Sequence, residues 1–211
     1  MKRGLFITFE GSEGCGKSTQ IALLRQHLEA AGAPHILLRE PGGSAVGEKI
    51  RELLQYAPEG HTLTPQAELL LFAASRAQLV REKIRPTLDE GTHVVADRFF
   101  DSTTVYQGFG RGLDLVEVSQ INHFAVGSCN PDVTFLLDMD AADARVRAAN
   151  REDARPDRME QMPDEFYEKV RAGYLQVARE NPKRVVSLDA TLPVGTLADT
   201  IWAEVQKRLA H

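Results

Sequence analysis

Eight consecutive residues near the start of the chain have types and spacing that suit phosphate binding. Residues 11–18 read Gly-Ser-Glu-Gly-Cys-Gly-Lys-Ser, which matches the pattern G-x-x-x-x-G-K-[ST] at every fixed position. Glycines let the backbone turn its N–H groups toward phosphate oxygens, Lys17 adds a positive charge, and the Ser18 hydroxyl suits a magnesium ion. The pattern predicts a nucleoside triphosphate site formed by Gly11, Ser12, Glu13, Gly14, Cys15, Gly16, Lys17, Ser18 and Thr19.

A second candidate lies where another apolar run ends on a carboxylate. Val94-Val95-Ala96 leads directly into Asp97. An aspartate at the end of a strand can orient magnesium or its waters opposite a phosphate-binding loop. It can also cap a following helix. The phosphate pattern upstream favours the first role, so we predict that Ser18 and Asp97 are magnesium ligands.

Five short apolar runs must position these residues. They are Leu5–Phe9, His35–Leu38, His93–Ala96, Val133–Leu137 and Arg184–Leu188. Each run is nearly continuous rather than alternating, as in parallel strands that are covered on both faces. Helical spacing of apolar residues separates the runs. The pattern predicts an α/β fold, a doubly wound five-stranded parallel sheet flanked by helices, with ligands at the carboxyl ends of the strands.

The composition limits the partners and the location. The chain has 211 residues, of which 25 are basic and 30 acidic, giving a net charge of −5. This length predicts one domain over residues 1–211. A weakly acidic protein is a poor candidate for nucleic-acid binding, and no apolar run approaches the ~18 residues of a membrane span. Cys15 and Cys129 form no disulfide framework, so we expect a cytoplasmic protein.

A phosphate-binding loop alone does not name a reaction, because switch GTPases share it. Such GTPases also need a D-x-x-G switch motif, which this sequence lacks. Residues 150–153, Asn-Arg-Glu-Asp, come close to a guanine-reading N-K-x-D motif but follow a helical pattern instead of a strand. The sequence therefore disfavours a GTPase switch.

Several further segments resemble the bacterial thymidylate kinase family over essentially the whole chain. The matching segments are residues 9–14, 39–43, 72–78, 97–98, 102–103, 106–108 and 157–160. Arg39-Glu40-Pro41-Gly42-Gly43, together with Asp-Arg followed by Tyr-Gln-Gly, discriminates best from other P-loop kinases. The resemblance implies a P-loop kinase fold, phosphoryl transfer from ATP to dTMP to give dTDP and ADP, Mg²⁺, and a homodimer.

The resemblance also implies a set of dTMP-binding residues. They are Glu13, Arg39, Pro41, Arg51, Phe72, Arg76, Arg98, Thr103, Tyr106 and Gln107. In the family, Tyr106 matches a residue that crowds the 2′ position of the sugar. Alternatives remain for the others: Thr103 and Gln107 could be caps in a loop, and Glu13 an acid favoured at a helix start.

Phe72 and Arg76 suggest how a base would be recognised. They are four residues apart on a helix predicted over Leu69–Val80, so they share a face. The ring can stack on a base while the guanidinium donates to O4 of thymine, where cytosine presents an amino donor. An isolated helix would favour a core Phe72 and a solvated Arg76.

Residues 145–160 are predicted to form a helical or loop lid. They contain five arginines, Arg145, Arg147, Arg151, Arg155 and Arg158, interleaved with acids. Such a segment is usually a solvated helix face, but the resemblance implies a lid that closes over ATP. One group of the family has a basic residue where this chain has Gly14. The positive charge that offsets the negative charge of the transition state must then come from elsewhere, and the lid arginines are the obvious source. We therefore predict Lys17, Arg98, Arg151 and Arg155 as catalytic residues.

The predicted reaction needs no general base. A phosphate monoester has a second pKa of about 6 and is already a dianion near neutral pH. The barrier comes from bringing two anions into line, which positive charge and positioning lower. Two alternatives remain: another deoxynucleotide or deoxynucleoside kinase of the same fold, and a non-catalytic nucleotide-binding switch module.

Overall fold

A computed structural model of the chain describes residues 2–149 and 158–210. Five parallel strands form one sheet in the order β2-β3-β1-β4-β5. They are β1 (Phe6–Glu10), β2 (His35–Arg39), β3 (His93–Asp97), β4 (Val133–Asp138) and β5 (Val185–Asp189). The predicted α/β class and five-stranded parallel sheet are confirmed.

Each strand extends one residue beyond its predicted carboxyl end, and β1 and β5 also begin one residue later than predicted. The extra residues are Glu10, Arg39, Asp97, Asp138 and Asp189. Ladder hydrogen bonds use the backbone and do not depend on side-chain polarity, so a strand can continue through its first polar residue. All five polar residues consequently lie along the edge of the sheet where ligands bind in such folds.

Helices flank the sheet and connect the strands. They are α1 (Lys17–Ala30), α2 (Ala45–Gln55), α3 (Pro65–Leu79), α4 (Arg85–Asp89), α5 (Phe100–Thr103), α6 (Leu115–Val126), α7 (Ala141–Ala149), α8 (Asp164–Glu180) and α9 (Val194–Leu209). A π-helical turn over Val80–Ile84 joins α3 to α4, and another over Thr104–Gly110 follows α5. Short 3-10 helices cover Pro58–Thr62 and Met159–Gln161.

The core lies on both faces of the central strands. Ile7 and Phe9 of β1 pack with α1 and α9 on one face, while Phe6 packs with the α3–α4 region on the other. Coverage of both faces is thus confirmed for β1, β3 and β4. The prediction is wrong for β2 and β5, where residues such as Leu37 remain exposed, because edge strands have a neighbour on one side only.

Close packing fixes α8 against the π-helical turn over Thr104–Gly110. Gly173 of α8 lies against the ring of Phe109, where a Cβ atom would come within 2.8 Å of that ring. Tyr106 of the turn and Tyr174 of α8 belong to one buried apolar cluster, in which their rings meet edge to face with centroids 6.3 Å apart. The packing therefore places a tyrosine of α8 next to the carboxyl ends of β1 and β3.

The predicted lid falls partly outside the described residues. Helix α7 covers its first part and the 3-10 helix over Met159–Gln161 its last part. Arg151 and Arg155 lie outside the described residues, so their assignment stays a prediction. None of the helices that the structure describes is long and apolar enough to cross a membrane.

Candidate active site

The phosphate-binding pattern forms a loop between β1 and α1. Gly11, Gly14 and Gly16 have φ values of +134°, +82° and +96°, which L side chains rarely adopt. A Cβ atom on Gly11 would lie 2.5 Å from the carbonyl oxygen of Leu137, and one on Gly14 would collide with that of Ala144. The loop consequently approaches β4 and α7 more closely than any other residue type would allow. The free N–H groups that begin α1 make this end of the helix suitable for an anion.

Lys17 lies inside this loop. Its side chain is buried, and Nζ donates to the carbonyl oxygens of Gly11 at 3.1 Å and Ser12 at 2.9 Å. Ser18 and Thr19 follow in the first turn of α1, with exposed side chains. The ammonium group and the Ser18 hydroxyl therefore lie on the same short segment, as phosphate and metal binding require.

Asp97 ends β3 and pairs in register with Phe9 at the end of β1. Its Oδ1 is buried and has no hydrogen-bond partner within the described residues. Phe99, not Asp97, occupies the N-cap of α5, so the capping alternative is wrong. A buried carboxylate oxygen without a partner beside the phosphate loop fits a magnesium ligand, directly or through water.

Protein side chains supply few ligands for a metal here. Within residues 2–149 and 158–210, no three His, Cys, Asp or Glu residues lie close enough to form a metal site. Mg²⁺ is commonly held by one or two protein ligands, substrate phosphates and waters. Ser18 and Asp97 match that limited donor set.

Arg98 follows Asp97 with φ +69°, the only left-handed backbone among the described residues other than glycine. Its Nη2 lies 2.6 Å from Glu13 Oε1, and Nη1 lies 3.0 Å from both Ser102 Oγ and the Tyr174 hydroxyl. Burial alone would lower the pKa of Arg98, but the oxygens of Tyr106, Glu13 and Tyr174 raise it well above its usual range. The guanidinium is therefore a permanent positive charge that is held from several sides.

Glu10 holds two of the hydroxyl groups that contact Arg98. It is 1% exposed, and its carboxylate accepts hydrogen bonds from the Phe99 N–H at 2.8 Å, Ser102 Oγ at 2.5 Å and the Tyr174 hydroxyl at 2.9 Å. Burial, together with the charge of Asp101, raises the pKa of Glu10. Burial likewise raises the pKa of the Tyr174 hydroxyl, which stays protonated and can donate.

Sequence reasoning assigned no role to Glu10 or Tyr174. Glu10 is the polar residue that closes β1 immediately before the phosphate loop, and this position was a usable signal. Tyr174 fitted the apolar face of a helix equally well. Nothing local in the sequence marks its hydroxyl as a partner of Arg98.

A cleft opens beside Arg98. Seven of the residues predicted to bind dTMP line it, namely Glu13, Pro41, Phe72, Arg98, Thr103, Tyr106 and Gln107. Four further lining residues were not predicted, namely Gln55, Ser102, Met159 and Tyr167. Thr103 lies in α5 and Gln107 in the following π-helical turn, so their interpretation as loop caps is wrong. Phe72 is half-buried and lines the cleft instead of filling the core.

The three other arginines predicted to bind dTMP do not line the cleft. Arg39 pairs with Glu48 at 3.0 Å and also donates to the Pro41 carbonyl at 3.3 Å, and Arg51 donates to the same carbonyl at 3.0 Å. Both arginines therefore hold the loop that brings Pro41 to the cleft. Their direct contact with a nucleotide stays a prediction.

Arg76 is buried and not solvated, so that alternative is wrong. It is 1% exposed and donates to Glu40 at 2.7 Å, to Asn122 Oδ1 at 3.1 Å and to the Phe99 carbonyl at 3.2 Å. Burial raises the pKa of Glu40 to about 7, although the charge of Arg76 opposes this. Three of the five N–H groups of Arg76 are used in these bonds, and two remain for another acceptor.

The described lid arginines differ in exposure. Arg145 pairs with Asp164 and lies 5.6 Å above the ring of Tyr167, and its side chain is largely exposed. Arg147 is exposed as well and donates to the Ala190 carbonyl at 3.3 Å. Arg158 is buried, so its interpretation as part of a solvated face is wrong. It donates to the Leu54 carbonyl at 3.0 Å and to Glu68.

Comparison with known proteins identifies the family of this chain. The family model described as "Thymidylate kinase" matches residues 9–201. The thymidylate kinase of Chlorobium chlorochromatii is 49% identical over 214 residues, covering 97% of this chain and 96% of that protein. That of Deinococcus radiodurans is 47% identical over 209 residues, covering 99% of each. The chain belongs to the thymidylate kinase family.

Membership of the thymidylate kinase family confirms the predicted activity. The chain is a phosphotransferase that phosphorylates dTMP to dTDP at the expense of ATP. The alternatives of a non-catalytic switch module and of a kinase for a different acceptor are not supported. The family also agrees with the five-stranded parallel sheet and with the glycine-rich loop that begins α1.

Proposed function

We propose that residues 11–19 hold the phosphates of ATP and that the adjoining cleft holds dTMP, with Arg98 between the two. The position of Arg98 carries this proposal. Its guanidinium contacts Glu13 inside the phosphate loop and also lines the cleft. A cation at this junction can attract the acceptor phosphate and offset the charge that accumulates as two anions come into line.

Positive charge and positioning perform the chemistry in this proposal. Lys17 would bind the transferring phosphoryl group from the phosphate loop, and Arg98 would bind the acceptor phosphate. The lid residues Arg151 and Arg155 would add charge from above and exclude water, which would otherwise compete with dTMP as the acceptor. Because the acceptor is a dianion, no side chain needs to remove a proton.

Ser18 and Asp97 are the residues that would hold Mg²⁺ in the proposed site. The buried Oδ1 of Asp97, which lacks a partner among the described residues, supports this assignment. A bound Mg²⁺ ion would offset part of the negative charge of the phosphates and so favour their approach. Replacing Asp97 with asparagine should raise the Mg²⁺ concentration needed for half-maximal activity.

The walls of the cleft fit a thymidine nucleotide. The Phe72 ring lies where a base can stack, and Thr103 and Gln107 offer polar atoms to the edge of the base. Arg76 is buried and does not line the cleft, so its predicted bond to O4 would require the cleft to reach its two unused N–H groups when the nucleotide binds. Tyr106, whose hydroxyl lies 3.3 Å from Arg98 Nη2, would crowd the 2′ position of the sugar and favour deoxyribose.

We also propose a homodimer formed by the outer surfaces of α3 and α6. Leu70 of α3 is 56% exposed, and Val116 and Phe124 of α6 are 64% and 82% exposed. Arg81, in the π-helical turn that follows α3, donates to the Ala125 carbonyl of α6 at 2.8 Å and so ties one end of this surface together. Sedimentation equilibrium should show a dimer that Phe124→Ser weakens. A monomeric unaltered protein would contradict this proposal.

For binding partners and cellular location we propose what the sequence analysis predicted. ATP and dTMP are the partners, whereas nucleic acid and membranes are not expected to bind. Cys15 and Cys129 are buried thiols, as suits a reducing cytoplasm. Fractionation of cells that express the chain would test the cytoplasmic location.

One assay tests the proposed site directly. ADP release is measured with dTMP, dUMP, dCMP, AMP and thymidine as acceptors, each at saturating ATP and Mg²⁺. We expect dTMP to be strongly preferred and dUMP to be a weaker substrate, since one methyl contact is worth about 1–3 kcal/mol. Equal turnover of dTMP and dCMP would show that the cleft does not read the base as proposed.

A further inference from the structure

A buried carboxylate beside the cleft gathers several hydrogen-bond donors. Glu68, in the first turn of α3, is 1% exposed. Its Oε1 accepts from Gln107 Nε2 at 2.9 Å and Arg111 Nε at 3.1 Å. Its Oε2 accepts from Arg111 Nη2 at 3.0 Å and from Arg158 Nη2. Glu68 therefore links Gln107, in the wall of the cleft, to Arg158, in the last part of the predicted lid segment.

The charge of Glu68 is secured by these donors. Burial would raise its pKa, but hydrogen bonds from Arg111 and Gln107 and the charges of Arg111 and Arg158 outweigh burial and lower it. Glu68 is consequently ionised near neutral pH. An ionised carboxylate has no proton to donate, so every neighbour must present a donor to it.

This requirement fixes the amide of Gln107. Only the Nε2 group can face Glu68, which leaves Oε1 as the free end of the amide. Gln107 lines the cleft, and its Oε1 accepts no hydrogen bond from the residues that the structure describes. The free amide could otherwise turn over and offer either an acceptor or a donor. With Glu68 in place, the cleft presents an acceptor at this point.

The Thr103 hydroxyl, the other polar group of this wall, does not select the polarity of the base. The Thr103 hydroxyl is buried, lines the cleft and has no partner within the described residues. A hydroxyl can donate or accept, so it adapts to either kind of base edge. Gln107 is therefore the group of this pair that can reject a base of the wrong polarity.

We propose that Glu68 is a positioning residue for base specificity, which it exerts by holding the Gln107 carbonyl toward N3 of the bound pyrimidine. Thymine and uracil have an N–H donor at N3, whereas cytosine has an acceptor lone pair there. Two acceptors that face each other leave both groups unpaired in a buried site, which is costly. This readout is separate from that of Arg76, which would act at O4, and it rests on the proposed position of the base in the cleft.

The first test removes the side-chain amide of Gln107 and leaves the contacts of Glu68 with Arg111 and Arg158 in place. For Gln107→Met, kcat/KM is measured with dTMP and with dCMP as acceptors. We expect the ratio of the two values to fall at least about tenfold, the effect of one buried hydrogen bond of about 1.4 kcal/mol. An unchanged ratio would overturn the proposal, even if Glu68 variants failed to fold.

The second test asks whether Glu68 acts through Gln107. Glu68→Gln is made in the unaltered chain and in the Gln107→Met variant. We expect it to lower the dTMP/dCMP ratio at least about tenfold in the first background and to leave the ratio unchanged in the second. An equal loss of both activities in the first background would show that Glu68 is merely structural and would overturn the proposal.

A matched control separates polarity from general damage to the cleft. Thr103→Val removes a hydroxyl from the same wall, and we expect it to lower both activities while keeping their ratio. A ratio that falls as far as in Gln107→Met would contradict the special role of the amide. Failure of the unaltered chain to phosphorylate dTMP would instead go against the proposed function, so the two failures are distinguishable.

Discussion

Replacing Tyr174 with phenylalanine tests whether the buried network around Arg98 aims its guanidinium. The Tyr174 hydroxyl lies 2.9 Å from Glu10 Oε2, 2.9 Å from Ser102 Oγ and 3.0 Å from Arg98 Nη1. The substitution keeps the aromatic ring in its apolar cluster and deletes only the hydroxyl. The change therefore separates hydrogen bonding from packing.

The expected magnitude follows from the contacts that are lost. A hydrogen bond to a charged group such as Arg98 is worth about 1.5–3 kcal/mol, and each of the others about 1 kcal/mol. Ser102 Oγ also bonds Glu10 and Arg98, so both keep a partner. We expect the free energy of unfolding to fall by about 2 kcal/mol, less than the sum of the bonds. We expect kcat to fall about tenfold, less than the ~100-fold loss that a 1 Å displacement can cause.

The assay measures ADP release with dTMP, and urea unfolding measures stability. The KM for ATP should stay unchanged, because Tyr174 contacts Glu10, Ser102 and Arg98 and not the phosphate loop. Ser102→Ala should lower kcat more in the Tyr174→Phe variant than in the unaltered chain, since Ser102 is then the remaining hydroxyl on Arg98 Nη1. If kcat stays within about twofold while stability falls by about 2 kcal/mol, the network is structural and does not aim Arg98.

Four further predictions test other parts of the molecule. Arg98→Ala should abolish most transfer while ATP binding, measured by titration calorimetry, stays nearly intact; near-normal turnover would remove Arg98 from the mechanism. Arg151→Ala should lower kcat more than it raises the KM for dTMP; a change in KM alone would indicate substrate positioning. Gly14→Ala should destabilise the fold by more than about 3 kcal/mol in thermal unfolding, because its Cβ would collide with the Ala144 carbonyl and the left-handed backbone disfavours it. Burial raises the pKa of Glu40 to about 7 from an ordinary 4.5. The folded state therefore binds this proton more tightly than the unfolded state, and the stability that the protonated carboxyl contributes is lost as the pH rises from 4.5 through 7. Glu40→Gln should flatten the pH dependence of urea unfolding over that window; an unchanged slope would contradict the shift.

Residues that are contiguous in the chain were the most predictable part of the site. The phosphate loop needs left-handed glycines, a lysine and a hydroxyl within one short segment, and all of these appear in the sequence pattern. Asp97 was also predictable, because a carboxylate that ends an apolar run must lie at the edge of the sheet.

Partners of a predicted side chain were harder to foresee than the side chain itself. The family resemblance placed Arg76 at the base, but its three bonds to Glu40, Asn122 and Phe99 come from three separate segments. Arg158 looked like one more charge on a polar face, yet it is buried against Glu68, 90 residues away in the chain. Helical periodicity shows which residues share a face, but not what that face meets.

By itself the sequence determined the sheet, the phosphate loop and the family, because these depend on local backbone geometry, apolar patterning and short motifs. Only the tertiary structure decided how Arg98 is held and which end of the Gln107 amide faces the cleft. Tyr174 and Glu10 are 164 residues apart, and Glu68 and Gln107 are 39 apart. Hydrogen bonds depend on distances of a few tenths of an ångström, and such distances between remote segments are set by the packing of the whole core.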